Sequence, residues 1–262
     1  MVKLILSDLD GTLVPEGTSV LPEEVRALII QLERCGIAFA VSSGRQHASL
    51  RQVFRGLDRT LIISLNGGCI CRGDECLYTN PMERMDALAI AEDIYRLPTC
   101  DAILETHEQC WVYAPKGEIM CHELDRRNYR YRVIRDLNAL EGEIIKVACY
   151  DESGRVGEKL EGFQRRWGER VKVARSGERW VDFNVSDKGQ GLLAACRLLG
   201  ITPAETAAFG DNLNDRPMLL EAGQSWVVAS GSPALRAEFP TCRHPAEIIE
   251  KIAAEAKKTL AI

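Results

Sequence analysis

The first 65 residues alternate short apolar segments with amphipathic ones. Strand candidates occupy residues 3–6, 37–41 and 61–65. Between the first two strands, apolar residues recur at the spacing of one helix face, which predicts a helix from about Pro22. A second helix is predicted over 46–57. Strands that alternate with helices form a parallel sheet, because each helix returns the chain to the same edge. The sequence therefore predicts an α/β fold with helices on both faces of a parallel sheet.

The middle of the chain follows a different pattern. The predicted elements there are helices at 82–97 and 155–167 and strands at 102–105, 110–113, 144–149, 171–173 and 180–185. Neighbouring strands joined by short turns are typical of an antiparallel sheet. From Lys188 the alternation of helix and strand returns, with strands at 206–209 and 226–228. We therefore predict a Rossmann-like core of residues 1–80 and 186–262 and an inserted α+β domain of residues 81–185.

Composition limits the partners and the location of the protein. Of the 262 residues, 46% are hydrophobic and 27% charged, which is typical of a folded protein with a real core. A net charge of -5 argues against a nucleic-acid or anionic-membrane partner, since both attract cationic proteins. The chain shows neither a signal-peptide pattern nor an apolar run of about 18 residues, so we expect a cytoplasmic protein without a membrane partner.

The ten cysteines are then expected to be reduced, small hydrophobic residues. Cys69, Cys71 and Cys76 lie close together in the chain, but no CxxC pair occurs anywhere. The spacing therefore predicts no structural metal site among the cysteines.

The segment Asp8-Leu9-Asp10-Gly11-Thr12-Leu13 directly follows the first strand. Ligands of parallel sheets bind at the carboxyl ends of the strands, where these two acids stand. Placing two like charges together is costly. A Mg²⁺ ion offsets this cost, because it takes carboxylate oxygens as its ligands. One carboxylate can attack phosphorus while the other transfers protons. A plainer interpretation is an Asp-rich turn that caps a helix.

Three further polar elements stand at predicted strand ends or helix starts. Ser42-Ser43-Gly44-Arg45 offers a hydroxyl and open backbone N–H groups to an anion. Lys188 offers an ammonium group, and Gly210-Asp211-Asn212-Leu213-Asn214-Asp215 offers acids and amides to a metal ion. Taken singly, these are a helix cap, an exposed lysine and an Asx turn. Their joint occurrence favours a phosphate and metal site.

The four segments DLDGTL, SSGR, DKG around Lys188, and GDNLND resemble the ordered motifs of the haloacid dehalogenase (HAD) superfamily of phosphohydrolases. The insert resembles the type IIB cap of its Cof-like branch. The resemblance implies that Asp8 is the nucleophile and a Mg²⁺ ligand, and that Asp10 is the general acid and base and contacts the metal through its carbonyl. It implies further roles in phosphate binding for Leu9, Ser43, Gly44, Lys188 and Asn214, in metal binding for Asp211, and in support of the site for Asp215 and Asn66.

This resemblance predicts a Mg²⁺-dependent phosphatase, either monomeric or homodimeric, that acts on small phosphorylated metabolites, with sugar phosphates favoured. A phosphomutase and a non-catalytic phosphate-sensing module are the alternatives. Selectivity would come from the insert, where arginines and tyrosines alternate over residues 126–135. Such a run can bind a second anion or stack on a ring, but it is more often a solvated face. The candidate specificity residues are Arg126, Arg130, Trp180 and His122.

Overall fold

The structure is a computed structural model that describes residues 1–15, 18 and 20–260. Its elements before the insert are β1 (Leu4–Ser7), α1 (Glu23–Arg34), β2 (Ala38–Ser42), α2 (His47–Val53), β3 (Leu61–Ser64), β4 (Cys69–Arg72) and β5 (Glu75–Thr79). Among the described residues, no helix has the length and apolar character that a membrane crossing requires.

The second part of the chain forms α3 (Arg84–Tyr95), β6 (Cys100–Glu105), β7 (Cys110–Tyr113), α4 (Ile119–Arg126), β8 (Tyr131–Ile134), β9 (Lys146–Asp151), α5 (Gly157–Trp167), β10 (Lys172–Arg175) and β11 (Trp180–Asn184). The third part forms α6 (Lys188–Leu199), β12 (Thr206–Gly210), α7 (Arg216–Glu221), β13 (Gln224–Val228), α8 (Pro233–Glu238), β14 (Thr241–Cys242) and α9 (Pro245–Leu260). Short 3₁₀ turns cover Leu65–Gly67, Leu137–Ala139, Pro203–Glu205 and Leu213–Asp215.

The core sheet has the strand order β14-β13-β12-β1-β2-β3-β4-β5. All pairs from β14 to β3 are parallel, which confirms the predicted parallel sheet. The sheet is extended by β4 and β5, which pair antiparallel. The sequence analysis missed this hairpin, because its cysteines and charged residues show no clear alternation of apolar and polar positions. The core is therefore a Rossmann-like α/β domain with a mixed edge.

The second sheet has the order β10-β11-β9-β6-β7-β8, and all its pairs are antiparallel except β7 with β8. Helices α3 and α5 pack on one face through residues such as Ile90 and Phe163. Helix α4 packs on the other face through Met120 and Leu124. The predicted α+β character of this cap is confirmed. Helix α4 and strand β8 were missed, so the arginine run is divided between a helix, a turn and a strand.

Two chain segments connect the core to the cap, and they are joined to each other. Asn80 Nδ2 donates a hydrogen bond of 2.7 Å to Ser186 Oγ. Close by, the Met82 backbone N–H donates to the Ile144 carbonyl at 2.7 Å. The first bond holds the entry and the exit of the cap side by side, and the second ties the entry to the segment before β9. The domain boundaries at residues 80/81 and 185/186 stay a prediction.

The turn after β3 packs against the start of α6. Gly67 has a φ of +89°, and a Cβ atom there would lie 2.2 Å from the Asp187 carbonyl oxygen. Helix α6 begins at the next residue, Lys188, and Asp187 caps it through a hydrogen bond to the Gln190 N–H. The absence of a side chain at Gly67 thus lets the turn touch the helix start that carries Lys188.

We predict that Gly67→Ala destabilises the protein more than Gly200→Ala does. Both glycines have positive φ values, but nothing lies within 4 Å of a Cβ atom at Gly200. The left-handed backbone alone costs an alanine about 1–2 kcal/mol. The clash at Gly67 adds about 1–3 kcal/mol. Urea unfolding measures both free energies, and equal losses would contradict the close approach.

Candidate active site

The polar motifs meet at the carboxyl edge of the core sheet, under the cap. They line one cleft between the two units. The core residues in its wall include Asp8, Asp10, Ser43, Gly44, Arg45, Asn66, Lys188, Asp211, Asn212 and Asn214. The cap contributes Glu105, Glu123, Arg126, Arg127, Tyr129, Lys146, Tyr150, Arg179, Trp180 and Asp182, among others.

A buried ion triad joins two of the motifs to Lys188. The Lys188 Nζ atom lies 2.5 Å from Asp8 Oδ1 and 2.6 Å from Asp215 Oδ1. All three side chains are buried, with Lys188 only 1% exposed. Burial raises the pKa of the Asp8 carboxyl well above its ordinary value; Lys188 opposes this rise and Asp215 adds to it. Burial favours the neutral form of Lys188, but Asp215 and Asp8 outweigh this effect and raise its pKa.

Asp215 is held by the backbone of its own turn. Its Oδ2 atom accepts hydrogen bonds from the Asp211 N–H at 2.9 Å and the Asn212 N–H at 3.0 Å. A side chain at Gly210 would collide with it, since a Cβ atom there would lie 2.5 Å from Asp215 Cβ. The turn in this way orients Asp211 toward the cleft, where Thr12 Oγ1 donates to Asp211 Oδ1 at 3.1 Å.

The acidic groups form a donor set for a hard cation. Carboxylate oxygens of Asp8, Asp211 and Asp215 all lie within 4.8 Å of one another. Burial and the neighbouring Asp215 raise the pKa of Asp211. Lys188 supplies one positive charge against these three acids, so an excess of negative charge remains when they are ionised. Oxygen donors with excess negative charge fit a divalent cation such as Mg²⁺.

Arg45 holds Asp10 in place. Its Nε atom donates to Asp10 Oδ2 at 2.8 Å, and its Nη2 atom donates both to Asp10 Oδ1 and to the Thr18 carbonyl, the latter at 3.1 Å. The Arg45 side chain is 4% exposed and the Asp10 side chain 25%, so the arginine of this two-pronged ion pair is buried while its carboxylate reaches the cleft. The sequence analysis gave Arg45 no role, although it is the last residue of the SSGR segment. The pair fixes the Asp10 carboxylate beside the cleft.

The SSGR loop is tied to the turn after β3. The Ser43 N–H donates to the Ile63 carbonyl at 2.9 Å, and the Asn66 N–H donates to the Ser43 carbonyl at 3.1 Å. The Asn66 side chain then reaches the cap, where its Nδ2 atom donates to Asp182 Oδ2 at 2.8 Å. Asn66 therefore connects the predicted phosphate loop to the cap.

The cap approaches the same loop with a buried charge cluster that the sequence analysis missed. Lys146 Nζ lies 2.6 Å from Glu105 and 3.7 Å from Asp182, and it donates to the Gly44 carbonyl at 2.8 Å. Burial raises the pKa of Glu105 in spite of Lys146. The available signal was a charged residue within the apolar run 144–149, where a lysine needs a buried partner.

The structure separates the four specificity candidates. Arg126 and Trp180 line the cleft, but Arg130 and His122 do not. His122 is on the exposed surface of α4, 3.8 Å from Glu118. The Arg130 backbone forms two hydrogen bonds with the Gln46 side chain, so this residue docks the cap on the core.

The other predicted residues are placed as follows. Asn214 lines the cleft, beside Asp211. The Leu9 side chain is fully buried in the core, so only its backbone is available to a ligand.

Comparisons with known proteins place the chain in a family. A family model described as haloacid dehalogenase-like hydrolase matches residues 5–241. The phosphatase YwpJ of Bacillus subtilis is 30% identical, over 88% of this chain and 90% of its own. A solved structure from Eubacterium rectale is 28% identical, with a TM-score of 0.84 over 96% of this chain and 99% of its own.

A third comparison concerns the fold alone. The HAD subclass IIB sugar phosphatase BT4131 is 19% identical, with a TM-score of 0.77 over the whole of both chains. Its similarity extends over core and cap together. On these matches, the chain belongs to the haloacid dehalogenase-like hydrolases and is a Cof-like phosphatase with a Rossmann-like core and a type IIB cap.

Proposed function

We propose that this phosphatase hydrolyses small phosphomonoesters with Mg²⁺ through a covalent aspartyl phosphate, an acyl phosphate formed on Asp8. The observation that carries the proposal is the arrangement of the first motif. Asp8 is buried against Lys188, and Asp10 is held by Arg45 in the same cleft. One carboxylate is thus set as a nucleophile and the other as a proton carrier.

The reaction has two steps. First, an Asp8 oxygen forms a bond to phosphorus while the bond from phosphorus to the ester oxygen breaks, and Asp10 gives its proton to that leaving oxygen. Second, a water molecule attacks the phosphorus of the Asp8 phosphate, Asp10 takes the proton of this water, and the Asp8 oxygen is released. The products are an alcohol and inorganic phosphate, and both aspartates return to their starting states.

Charge balance decides whether Asp8 is reactive. Asp8, Asp211 and the Asp10 carbonyl would hold Mg²⁺, with Asp215 supporting the site. The bound ion would offset the charge of the carboxylates and of the phosphate oxygens. Lys188 provides a fixed positive charge against Asp8 in the same way. Burial holds the pKa of Asp8 above its ordinary value even beside Lys188, so the bound ion would supply the counter-charge that Lys188 leaves missing.

The phosphate group would be bound by Ser43, Gly44, Lys188 and Asn214, together with the Leu9 backbone. Ser43 and Gly44 follow β2 and line the cleft with Lys188 and Asn214. The rigid connection of this loop to Asn66 and Lys146 supports a pre-organised anion site.

The cap wall supports a small, polar leaving group, and we favour sugar phosphates. Trp180 and Tyr129 offer ring surfaces, and Arg126 and Arg127 offer positive charges. The comparison structure named a sugar phosphatase has the same fold over its full length. A panel of purified sugar phosphates, nucleotides and other phosphorylated metabolites tests this preference.

The two alternatives are less well supported. A phosphomutase would return the phosphate to a bound product, and a sensing module would need no proton carrier. The presence of both Asp8 and Asp10 in one cleft favours turnover, because a sensing module needs no second acid. A cytoplasmic location, a monomeric or homodimeric state and the absence of a nucleic-acid partner stay predictions.

We predict that Asp8→Asn lowers kcat by at least about four orders of magnitude, because the amide cannot act as the nucleophile. The matched control is Asp58→Asn, which changes an exposed acid outside the cleft and should keep wild-type turnover. Release of p-nitrophenol from p-nitrophenyl phosphate measures both. Acid-quenched wild-type enzyme should carry a phosphate on Asp8 in peptide mass spectra. Near-wild-type turnover of Asp8→Asn would contradict the assignment.

We predict that Asp211→Asn raises the Mg²⁺ concentration needed for half-maximal activity by more than about tenfold, because one charged ligand is lost. Thermal unfolding gives a readout without turnover: Mg²⁺ should raise the midpoint of the wild type more than that of the variant. Identical metal titrations of the two proteins would exclude Asp211 as a ligand.

We predict that Lys188→Met destabilises the protein by about 3–5 kcal/mol, since two buried carboxylates lose their counter-charge. Lys3→Met is the control, because Lys3 pairs with Glu205 at 2.7 Å but is 54% exposed; its loss should cost less than about 1 kcal/mol. Adding Asp8→Asn to Lys188→Met should restore part of the stability. Denaturant unfolding of the four proteins checks this, and equal losses for the two lysines would refute the buried triad.

A further inference from the structure

We propose that Cys69, Cys71 and Cys76 form a second metal site, which binds a thiol-seeking ion, Zn²⁺ or Cu⁺, through three thiolates. The site lies on the hairpin of β4 and β5, outside the catalytic cleft. The three Sγ atoms all lie within 4.8 Å of one another. All three thiols are free in the structure.

The distances between the sulfur atoms match those around one metal ion. Cys69 Sγ lies 3.5 Å from Cys71 Sγ and 3.9 Å from Cys76 Sγ. Thiolates that bind zinc at about 2.3 Å in a tetrahedral arrangement are about 3.8 Å apart. An ion could therefore enter between the three sulfur atoms with small side-chain adjustments.

A break in strand pairing brings the third sulfur to this face. Cys69 and Cys71 are two residues apart on β4 and so point to the same side of the sheet. The pairing of β4 with β5 shifts between Ile70 and Cys71, so that Cys71 faces Cys76. Regular pairing from Ile70 and Tyr78 would place Leu77 there and turn Cys76 to the opposite side. Such bulges re-aim a side chain, and here the bulge completes the sulfur cluster.

The residues around the three cysteines leave one side open for an ion to enter and shield the other side from water. Cys69 and Cys71 are buried and pack with Leu65 and Ile145, which exclude water from one side. Cys71 and half-buried Cys76 border a surface cleft that also contains His47. Release of thiol protons to solvent accompanies binding, because the thiolate is the ligand.

The two candidate ions differ in the number of ligands that they require. Within the part of the chain that the structure describes, no fourth His, Cys, Asp or Glu joins the three cysteines at this distance. Three thiolates complete a three-coordinate Cu⁺ site. Zn²⁺ prefers four ligands and would add a water molecule or His47 from the cleft. The spacing along the chain predicted no site, because a hairpin and not a CxxC turn brings the sulfurs together.

The test uses the full-length, reduced, chelator-treated protein in the presence of Mg²⁺. Under anaerobic conditions it is titrated with Cu⁺ in one arm and with Co²⁺, a coloured substitute for Zn²⁺, in the other. We expect a thiolate-to-metal charge-transfer band that saturates at one equivalent in at least one arm. Cys76→Ser should weaken binding more than about tenfold. Cys121→Ser, which removes a half-buried thiol of the cap, should bind like the wild type.

The proposal is overturned if neither ion produces this band, or if Cys76→Ser titrates like the wild type. Should Cys76→Ser fail to fold, alkylation of the wild-type protein gives the answer by peptide mass spectrometry. Bound metal must slow the reaction of Cys76 with iodoacetamide and leave that of Cys121 unchanged. An equal rate at Cys76 with and without metal would also overturn the proposal.

Discussion

The arrangement of the active site depends on one buried lysine. Lys188 lies between Asp8 and Asp215, which are 180 and 27 residues away in the chain, at distances of 2.5 and 2.6 Å. Two like charges in a buried site repel each other strongly, because little water is present to screen them. The ammonium group supplies the positive charge that both carboxylates face. The packing of Gly67 against the start of α6 keeps this lysine in position.

The cap is positioned by polar contacts that reach the same loops. Lys146 donates to the Gly44 carbonyl, Asp182 accepts from Asn66, and Gln46 binds the Arg130 backbone. Most of these groups are buried, so each lost partner would leave an unsatisfied polar atom. The wall that would select the substrate is in this way joined to the loop that would bind phosphate. A small displacement of the cap would therefore also displace the phosphate loop.

Local sequence patterns predicted much of the fold and of the catalytic edge. The strand after which DLDGTL stands, the parallel sheet and the α+β character of the insert followed from periodicity. Asp8, Ser43, Lys188 and Asp211 were predicted as neighbours because each stands at a strand end or a helix start. The roles of Arg45 and Lys146 were missed, since their partners Asp10 and Glu105 are distant in the chain. Pattern analysis also missed helix α4 and strand β8, where arginines and tyrosines show neither period clearly.

The sequence by itself determined which chemical groups stand at the ends of the strands, because hydrophobic periodicity and turn residues are properties of near neighbours in the chain. The tertiary structure alone decided which of these groups pair. Register and packing bring Lys188 between two acids, turn Arg130 and His122 away from the cleft, and collect Cys69, Cys71 and Cys76 on one face. Such contacts join residues far apart in the chain, or depend on one shifted strand pair. No local pattern specifies them.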